Sequence, residues 1–224
     1  MEKVNLNRHD FVFITEAARL RLAKELMPNY STQVQPIVSS AFTAFNIPGI
    51  VRRSEAFDEN LLPLGFVPLE RYLDQRVRVS CFVEWFEVAG VVTPREVLKK
   101  NISSRTKALE LAQEIAAWNR DKGYDIGIIG SVGLEILTGY PYTNADSDID
   151  LVLGPHPLDL IKKIYSEIEA LAHEKSVGID LEIMLPNGFG VKAKELFMNT
   201  STLLGKSLTT VDLLERSSIN KYLI

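Results

Sequence analysis

Hydrophobic residues recur along the chain with the period of a strand in some stretches and of a helix in others. Residues 76–88 begin with strict apolar–polar alternation, which predicts an antiparallel strand. Residues 104–121 carry apolar side chains at helical spacing and predict an amphipathic helix. The same reasoning predicts further strands at 10–14, 48–53, 64–68, 126–129, 151–153 and 177–185, with a hairpin partner for the last of them at 189–194. It predicts further helices at 15–27, from 93 onward, at 132–139, at 158–174 and at the end of 200–216. The secondary structure of residues 31–45 stays ambiguous.

The stretch 125–153 combines two apolar strands with polar residues at their ends. Gly130 and Ser131 lie between the first strand and a helix, where glycine permits close approach of a phosphate and the helix start offers free N–H groups. Asp148 and Asp150 enter the second strand two residues apart, so their side chains share one face. Adjacent carboxylates repel unless a cation lies between them, which predicts a site for Mg²⁺ or Mn²⁺.

A third acidic position is expected in the strand 177–185. Asp180 and Glu182 are again two residues apart and share a face. If this strand pairs with the one that follows Asp148, either carboxylate would join the first two, and the set could bind two divalent ions. The alternative is an acidic strand that simply faces solvent.

Length and composition restrict the remaining possibilities. The 224 residues suffice for one large domain or two lobes, and we place the boundary between an N-terminal lobe at 1–102 and a second lobe at 103–224. The net charge of −4 argues against a general nucleic-acid-binding protein. The single cysteine, Cys81, is expected in the core. We find neither a membrane-spanning stretch nor a signal peptide in the sequence, so we expect a cytoplasmic protein.

The order strand, Gly-Ser, helix, loop and Asp-x-Asp resembles the nucleotidyltransferase superfamily that includes polymerase β. Within it, the segment GSVGLEILTGYPYTNADSDIDLVL resembles one family, the phosphoribosyl-dephospho-CoA transferases of malonate decarboxylase, also called holo-acyl-carrier-protein synthases. Shorter similarities lie at residues 8–10, 51–53, 64–66 and 71. The resemblance implies an α+β fold with a nucleotidyltransferase core of mixed sheet and helices, preceded by a smaller α/β lobe.

Membership would also imply a reaction. The donor is 2′-(5″-triphosphoribosyl)-3′-dephospho-CoA, the acceptor is a serine of the apo acyl-carrier subunit of malonate decarboxylase, and diphosphate is released. Asp148, Asp150 and Asp180 would be catalytic and would bind metal, with Glu182 as a further ligand; Asp180 is favoured because it better matches the superfamily's third motif. Gly130 and Ser131, together with Arg52 and Arg53, would bind the donor phosphates. The chain departs from the family at Ala193-Lys194-Glu195, where an aromatic-Arg-Glu run is usual.

Two other functions are kept open. The same chemistry could serve another acceptor, such as the carrier protein of citrate lyase or a small molecule. A non-catalytic binding module of the same fold is the second alternative. The intact Gly130-Ser131 and the Asp148–Asp150 pair argue against it, because a binding module does not need carboxylates that repel each other.

Overall fold

The chain divides after Thr93 into two units, Met1–Thr93 and Pro94–Ile224, in a computed structural model that describes residues 6–54, 58 and 60–223. The sequence-based boundary lay at 102–103. The division comes earlier because the helix that begins at Pro94 packs against the strand Ile126–Ile129 of the second unit. No helix in the described part of the chain has the length and apolar character needed to cross a membrane.

The first unit is built on a five-stranded antiparallel sheet with the strand order β6-β3-β2-β1-β7. Thr15 caps the first helix by accepting a hydrogen bond from the Ala18 N–H. Its elements are β1 (Phe11–Ile14), α1 (Glu16–Leu26), α2 (Gln35–Thr43), β2 (Gly49–Val51), β3 (Leu61–Phe66), β4 (Arg71–Tyr72), β5 (Gln75–Arg76), β6 (Val79–Glu84) and β7 (Val88–Val92).

The continuous strand expected at 76–88 is interrupted by a short 3₁₀ helix, Trp85–Glu87. Glu87 turns inward, where its carboxylate accepts hydrogen bonds from the Glu84 N–H at 2.9 Å and from the Arg21 guanidinium at 2.7 and 2.9 Å. This ion pair, in which only the carboxylate is buried, lies where β6 ends and the chain turns into β7. Alternation along the sequence does not reveal it, because Arg21 lies far away in the chain.

The second unit is built on a six-stranded mixed sheet with the order β13-β12-β11-β10-β9-β8. β9 and β10 are parallel and are joined by α6, as a parallel connection requires a long crossover, while every other pair is antiparallel. The elements are α3 (Pro94–Leu98), α4 (Lys107–Arg120), β8 (Ile126–Ile129), α5 (Gly130–Thr138), β9 (Ile149–Leu153), α6 (Leu158–Lys175), β10 (Ile179–Met184), β11 (Gly190–Lys192), α7 (Ala193–Phe197), β12 (Thr202–Lys206), β13 (Val211–Glu215) and α8 (Arg216–Asn220).

The two faces of this sheet differ in chemistry. One face of β9 carries Ile149, Leu151 and Leu153, all fully buried. The opposite face carries Asp150 and Val152, and the polar residues of β10 share it because β9 and β10 pair in register. One face of the sheet is therefore packed in the core at β9, and the carboxylates lie on the opposite face.

The mixed structure agrees with the predicted α+β class. The main differences lie near the C-terminus, where the expected hairpin partner at 189–194 ends at Lys192 and the chain then forms α7. Residues 202–215, expected to hold an apolar segment followed by a short helix, form the hairpin β12–β13, and the helix α8 begins only at Arg216. This hairpin extends the sheet that begins with the carboxylate-bearing strands.

Candidate active site

The chain passes from β8 into α5 at Gly130. Its φ of +66° is a left-handed conformation that favours glycine. A Cβ at this position would lie 2.2 Å from Oδ2 of Asp150, so the carboxylate fills the space that a side chain would need. The backbone at the start of α5 and the second aspartate of the Asp-x-Asp pair are therefore in direct contact.

The N-terminus of α5 is a candidate anion site. Its N-cap residue, Ile129, makes no side-chain capping hydrogen bond, and no acidic residue lies in its first turn. Ser131 is partly exposed in that turn, and its hydroxyl makes no hydrogen bond to another described residue. The N–H groups at the start of a helix, the helix dipole and a serine hydroxyl together form an arrangement that suits phosphate.

Asp148 and Asp150 lie where the sequence analysis placed them, at the start of β9. Asp150 is opposite Ile129 of β8 and Asp180 of β10, and it is partly exposed. Asp148 is exposed, and its carboxylate makes no hydrogen bond or ion pair with another described residue. Asp150 thus lies beside the N-terminus of α5, and Asp148, two residues earlier, lies against Gly178 just before β10.

Asp180 lies on the same face as Asp150, because β10 pairs with β9 and Asp180 is opposite Asp150. The sequence analysis had made a third carboxylate conditional on this pairing. Asp180 is partly exposed and forms an ion pair with Lys192 of β11. Sequence reasoning missed Lys192, although the hairpin pattern at 189–194 was a usable signal, because it brings β11 beside β10. The pair means that Asp180 carries a local counter-charge that Asp148 does not have.

Glu182 lies further along β10 and is buried, with 5% of its surface exposed. Its carboxylate lies against the backbone of Gly190, where a Cβ would come within 1.9 Å of Oε1. Within the described residues, no three His, Cys, Asp or Glu side chains are grouped closely enough to hold a metal ion. The structure therefore presents Asp148 and Asp150 as a pair of carboxylates, with Asp180 on Lys192 and Glu182 in the interior.

A second polar network, which sequence reasoning did not identify, supports the loop between α5 and β9. Glu135 of α5 is 5% exposed, and its carboxylate accepts two hydrogen bonds from Arg105, both 2.8 Å long. It also accepts hydrogen bonds from the backbone N–H and the hydroxyl of Thr143, at 2.7 and 2.8 Å. The only available signal was an acidic residue inside an otherwise apolar helix. The network ties the loop that leads to Asp148 onto α5.

The environment of Glu135 keeps it ionised. Burial by itself would raise the pKa of this carboxyl, but the hydrogen bonds from Arg105 and Thr143 outweigh burial and hold the pKa below its usual range. A charged carboxylate with all these donors satisfied is a rigid anchor. We infer a positioning role for Glu135, because its oxygens are engaged inside the protein.

The remaining candidates lie in the first unit. Arg52 and Arg53 follow β2; Arg52 is partly exposed, Arg53 is exposed, and their assignment to the triphosphate stays a prediction. Cys81 of β6 is buried, and burial raises the pKa of its thiol to about 12. A neutral, inaccessible thiol is a poor nucleophile, as expected for a core cysteine.

Comparison with known proteins connects this geometry to one family. Residues 97–217 match the family model described as the C-terminal domain of the phosphoribosyl-dephospho-CoA transferase MdcG, which is more than half of the chain. The matched segment contains α5, β9, β10 and the Lys192 ion pair. No solved structure matches significantly.

Three curated relatives named phosphoribosyl-dephospho-CoA transferase agree with this match. The one from Bradyrhizobium diazoefficiens is 23% identical over 93% of this chain and 90% of its own length. The one from Klebsiella pneumoniae is 25% identical over 67% of this chain and 68% of its own length. The one from Pseudomonas fluorescens is 24% identical, with 71% and 74% covered. The similarity to the first of them extends over both units.

Proposed function

Because the chain belongs to the phosphoribosyl-dephospho-CoA transferase family and is a transferase, we propose that it acts on the apo acyl-carrier subunit of malonate decarboxylase. The donor is 2′-(5″-triphosphoribosyl)-3′-dephospho-CoA. A serine hydroxyl of the carrier attacks the α-phosphorus of the triphosphate, a phosphodiester bond forms, and the bond to diphosphate breaks. The reaction is proposed to take place in the cytoplasm.

The observation that carries this proposal is the contact between Gly130 and Asp150. It joins a helix N-terminus, suited to phosphate, to the second carboxylate of the Asp-x-Asp pair, suited to a cation. Phosphoryl transfer requires both in one place, because the charge on the leaving diphosphate must be stabilised as the bond breaks. The arrangement of β8, α5, β9 and β10 also supports a nucleotidyltransferase-type core for the second unit.

The residues of this chain divide the work between binding and proton transfer. The N–H groups at the start of α5 and the Ser131 hydroxyl bind the leaving diphosphate. Asp148 and Asp150 fit a divalent cation such as Mg²⁺ or Mn²⁺, which when bound would neutralise negative charge on the triphosphate. Asp180, on the same face, is the proposed acceptor of the serine proton, and Lys192 holds its side chain in place.

The nucleophile belongs to the partner protein. Cys81 is buried, and the positioned side chains of the site are carboxylates and a hydroxyl at a helix N-terminus. The face that carries Asp148 is exposed, so a serine presented by another protein can approach it. Arg52 and Arg53 are proposed to contribute to triphosphate binding.

Intact-mass spectrometry of the apo-carrier subunit tests the proposal. The carrier would be incubated with the full chain, the triphosphoribosyl donor and Mg²⁺, and a mass gain equal to the donor minus diphosphate is expected. Asp150→Asn keeps the shape of the side chain and removes its charge, so the rate should fall at least about 100-fold.

Asp146→Asn is the matched control, because Asp146 is exposed in the loop that leads into β9. It should leave the rate unchanged. A normal rate for Asp150→Asn would contradict the assignment of the carboxylate pair. A mass gain on the citrate lyase carrier, with none on the malonate decarboxylase carrier, would contradict the proposed acceptor.

A further inference from the structure

A basic cleft lies at the edge of the second unit, between α3 and the C-terminal end of α4, beside β8. Its volume is about 720 Å³, within the range of small-molecule sites. Its lining includes the apolar residues Leu98, Ala116 and Ile126 and the aromatic Tyr124. A lining with apolar, aromatic and basic residues suits a ligand that has both a ring and an anionic group.

Three cations at this cleft have no counter-charge among the residues that the structure describes. Arg95 forms an ion pair with Asp125, which also lines the cleft. Lys99, Lys100 and Arg120 are exposed, and none of them forms an ion pair or side-chain hydrogen bond with another described residue. In a chain with a net charge of −4, such a local excess of positive charge attracts anions to one concave surface.

The strand register relates this cleft to the carboxylates. Gly127 is opposite Val152, and Ile129 is opposite Asp150, so Gly127 and Asp150 lie on the same face of the sheet. A Cβ on Gly127 would come within 2.5 Å of Pro94, which places the start of α3 on that face. The cleft reaches β8 at Ile126, whose side chain lies on the opposite, buried face of the strand. Four residues of strand, roughly 13 Å, separate Ile126 from Gly130.

We propose that this cleft is a second anion site that binds the 5′-diphosphate and adenosine of a dephospho-CoA-type nucleotide. The identification of that nucleotide as part of the donor rests on the proposed function. In the donor, two linked pentoses separate the triphosphate from the 5′-diphosphate. In this arrangement one molecule places its triphosphate at Gly130 and its diphosphate among Lys99, Lys100 and Arg120. This assigns donor recognition to a surface outside the motif that carries the chemistry.

Calorimetric titration of the full chain with dephospho-CoA, which lacks the triphosphate, tests the site without requiring turnover. The double variant Lys99→Gln/Lys100→Gln should raise the Kd on the order of tenfold, because two solvent-exposed charge contacts are lost. Arg120→Gln should weaken binding in the same direction, and Arg120→Lys should partly restore it. The control, Lys162→Gln/Lys163→Gln on α6, removes the same charge elsewhere and should leave the Kd unchanged.

Kinetics with the donor separate the two possible sources of the nucleotide. If the site belongs to the donor, dephospho-CoA competes with it, and Lys99→Gln/Lys100→Gln raises the KM for the donor far more than it lowers kcat. If dephospho-CoA binding depends on the cleft residues but does not compete with the donor, the assignment to the donor is wrong and the ligand of the cleft is a free nucleotide. Equal Kd values for the wild type and the Lys99/Lys100 and Arg120 variants overturn the site. Because binding is measured without an acceptor, this result stands apart from failure of the proposed transfer.

Discussion

Replacing Gly130 with alanine tests the link between the helix start and the carboxylates. The left-handed φ of +66° costs a non-glycine residue about 1–2 kcal/mol. The new methyl group would also lie 2.2 Å from Oδ2 of Asp150 and must displace that carboxylate. Moving a side chain out of its preferred rotamer costs about 0.5–1.5 kcal/mol. We therefore expect Gly130→Ala to lower the free energy of unfolding by roughly 2–3 kcal/mol.

Gly139 supplies the matched control for this substitution. Its φ is +73°, and nothing lies within 4 Å of a Cβ added there, so Gly139→Ala has the backbone cost alone. Urea denaturation should show Gly130→Ala to be less stable than Gly139→Ala by about 1 kcal/mol. The larger difference should appear in the rate of carrier modification, because displacing a reacting group by about 1 Å can cost about 100-fold.

Equal stability of the two alanine variants, together with equal rates, would refute this reasoning. It would mean that the Asp150 carboxylate does not occupy the space beside Gly130. A stability difference without a difference in rate would support the contact between Gly130 and Asp150 but contradict its role in transfer. The two measurements therefore test the geometry and the chemistry independently.

Two further predictions concern groups whose pKa is shifted by the fold. The pKa of Glu135 is lowered in the folded state, so its stabilisation is present above the unfolded pKa and is lost as the pH falls through the folded value. Urea denaturation should show that Glu135→Gln lowers the free energy of unfolding by roughly 1–3 kcal/mol at pH 7 and by less at acidic pH. An equal loss at both pH values would contradict the role of the Glu135 charge. Because burial raises the pKa of Cys81 to about 12, a thiol reagent at pH 8 should modify the native protein at least about 100-fold more slowly than the unfolded chain. Equal rates would show that Cys81 is accessible.

Elements whose signals lie within a few consecutive residues were predicted well from the sequence. The helix 104–121 was expected from its apolar spacing and is observed as Lys107–Arg120, with Thr106 accepting a hydrogen bond from the Leu109 N–H. The strand 126–129 and the helix after it were also expected, although α5 begins at Gly130 itself. Helical and strand periods are local properties, so a single stretch of chain carries the whole signal.

Elements that depend on pairing were predicted less well. The segment Val211–Glu215 reads VDLLE, whose adjacent leucines do not alternate and are equally compatible with a helix. It becomes a strand because it pairs with Thr202–Lys206, which in turn extends the sheet beside β11. The same limit applies to the division at Thr93, which is set by the packing of α3 on β8.

The sequence by itself determined that Asp148 and Asp150 share a face and that glycine and serine precede a helix, because both statements concern neighbouring residues. Only the tertiary structure decided that Asp150 lies against Gly130 and that Asp180 is paired with Lys192. It also decided that Arg105 closes a buried carboxylate network around Glu135. Each of these contacts joins segments distant in the chain, and their geometry follows from strand register and helix packing, which a one-dimensional pattern does not contain.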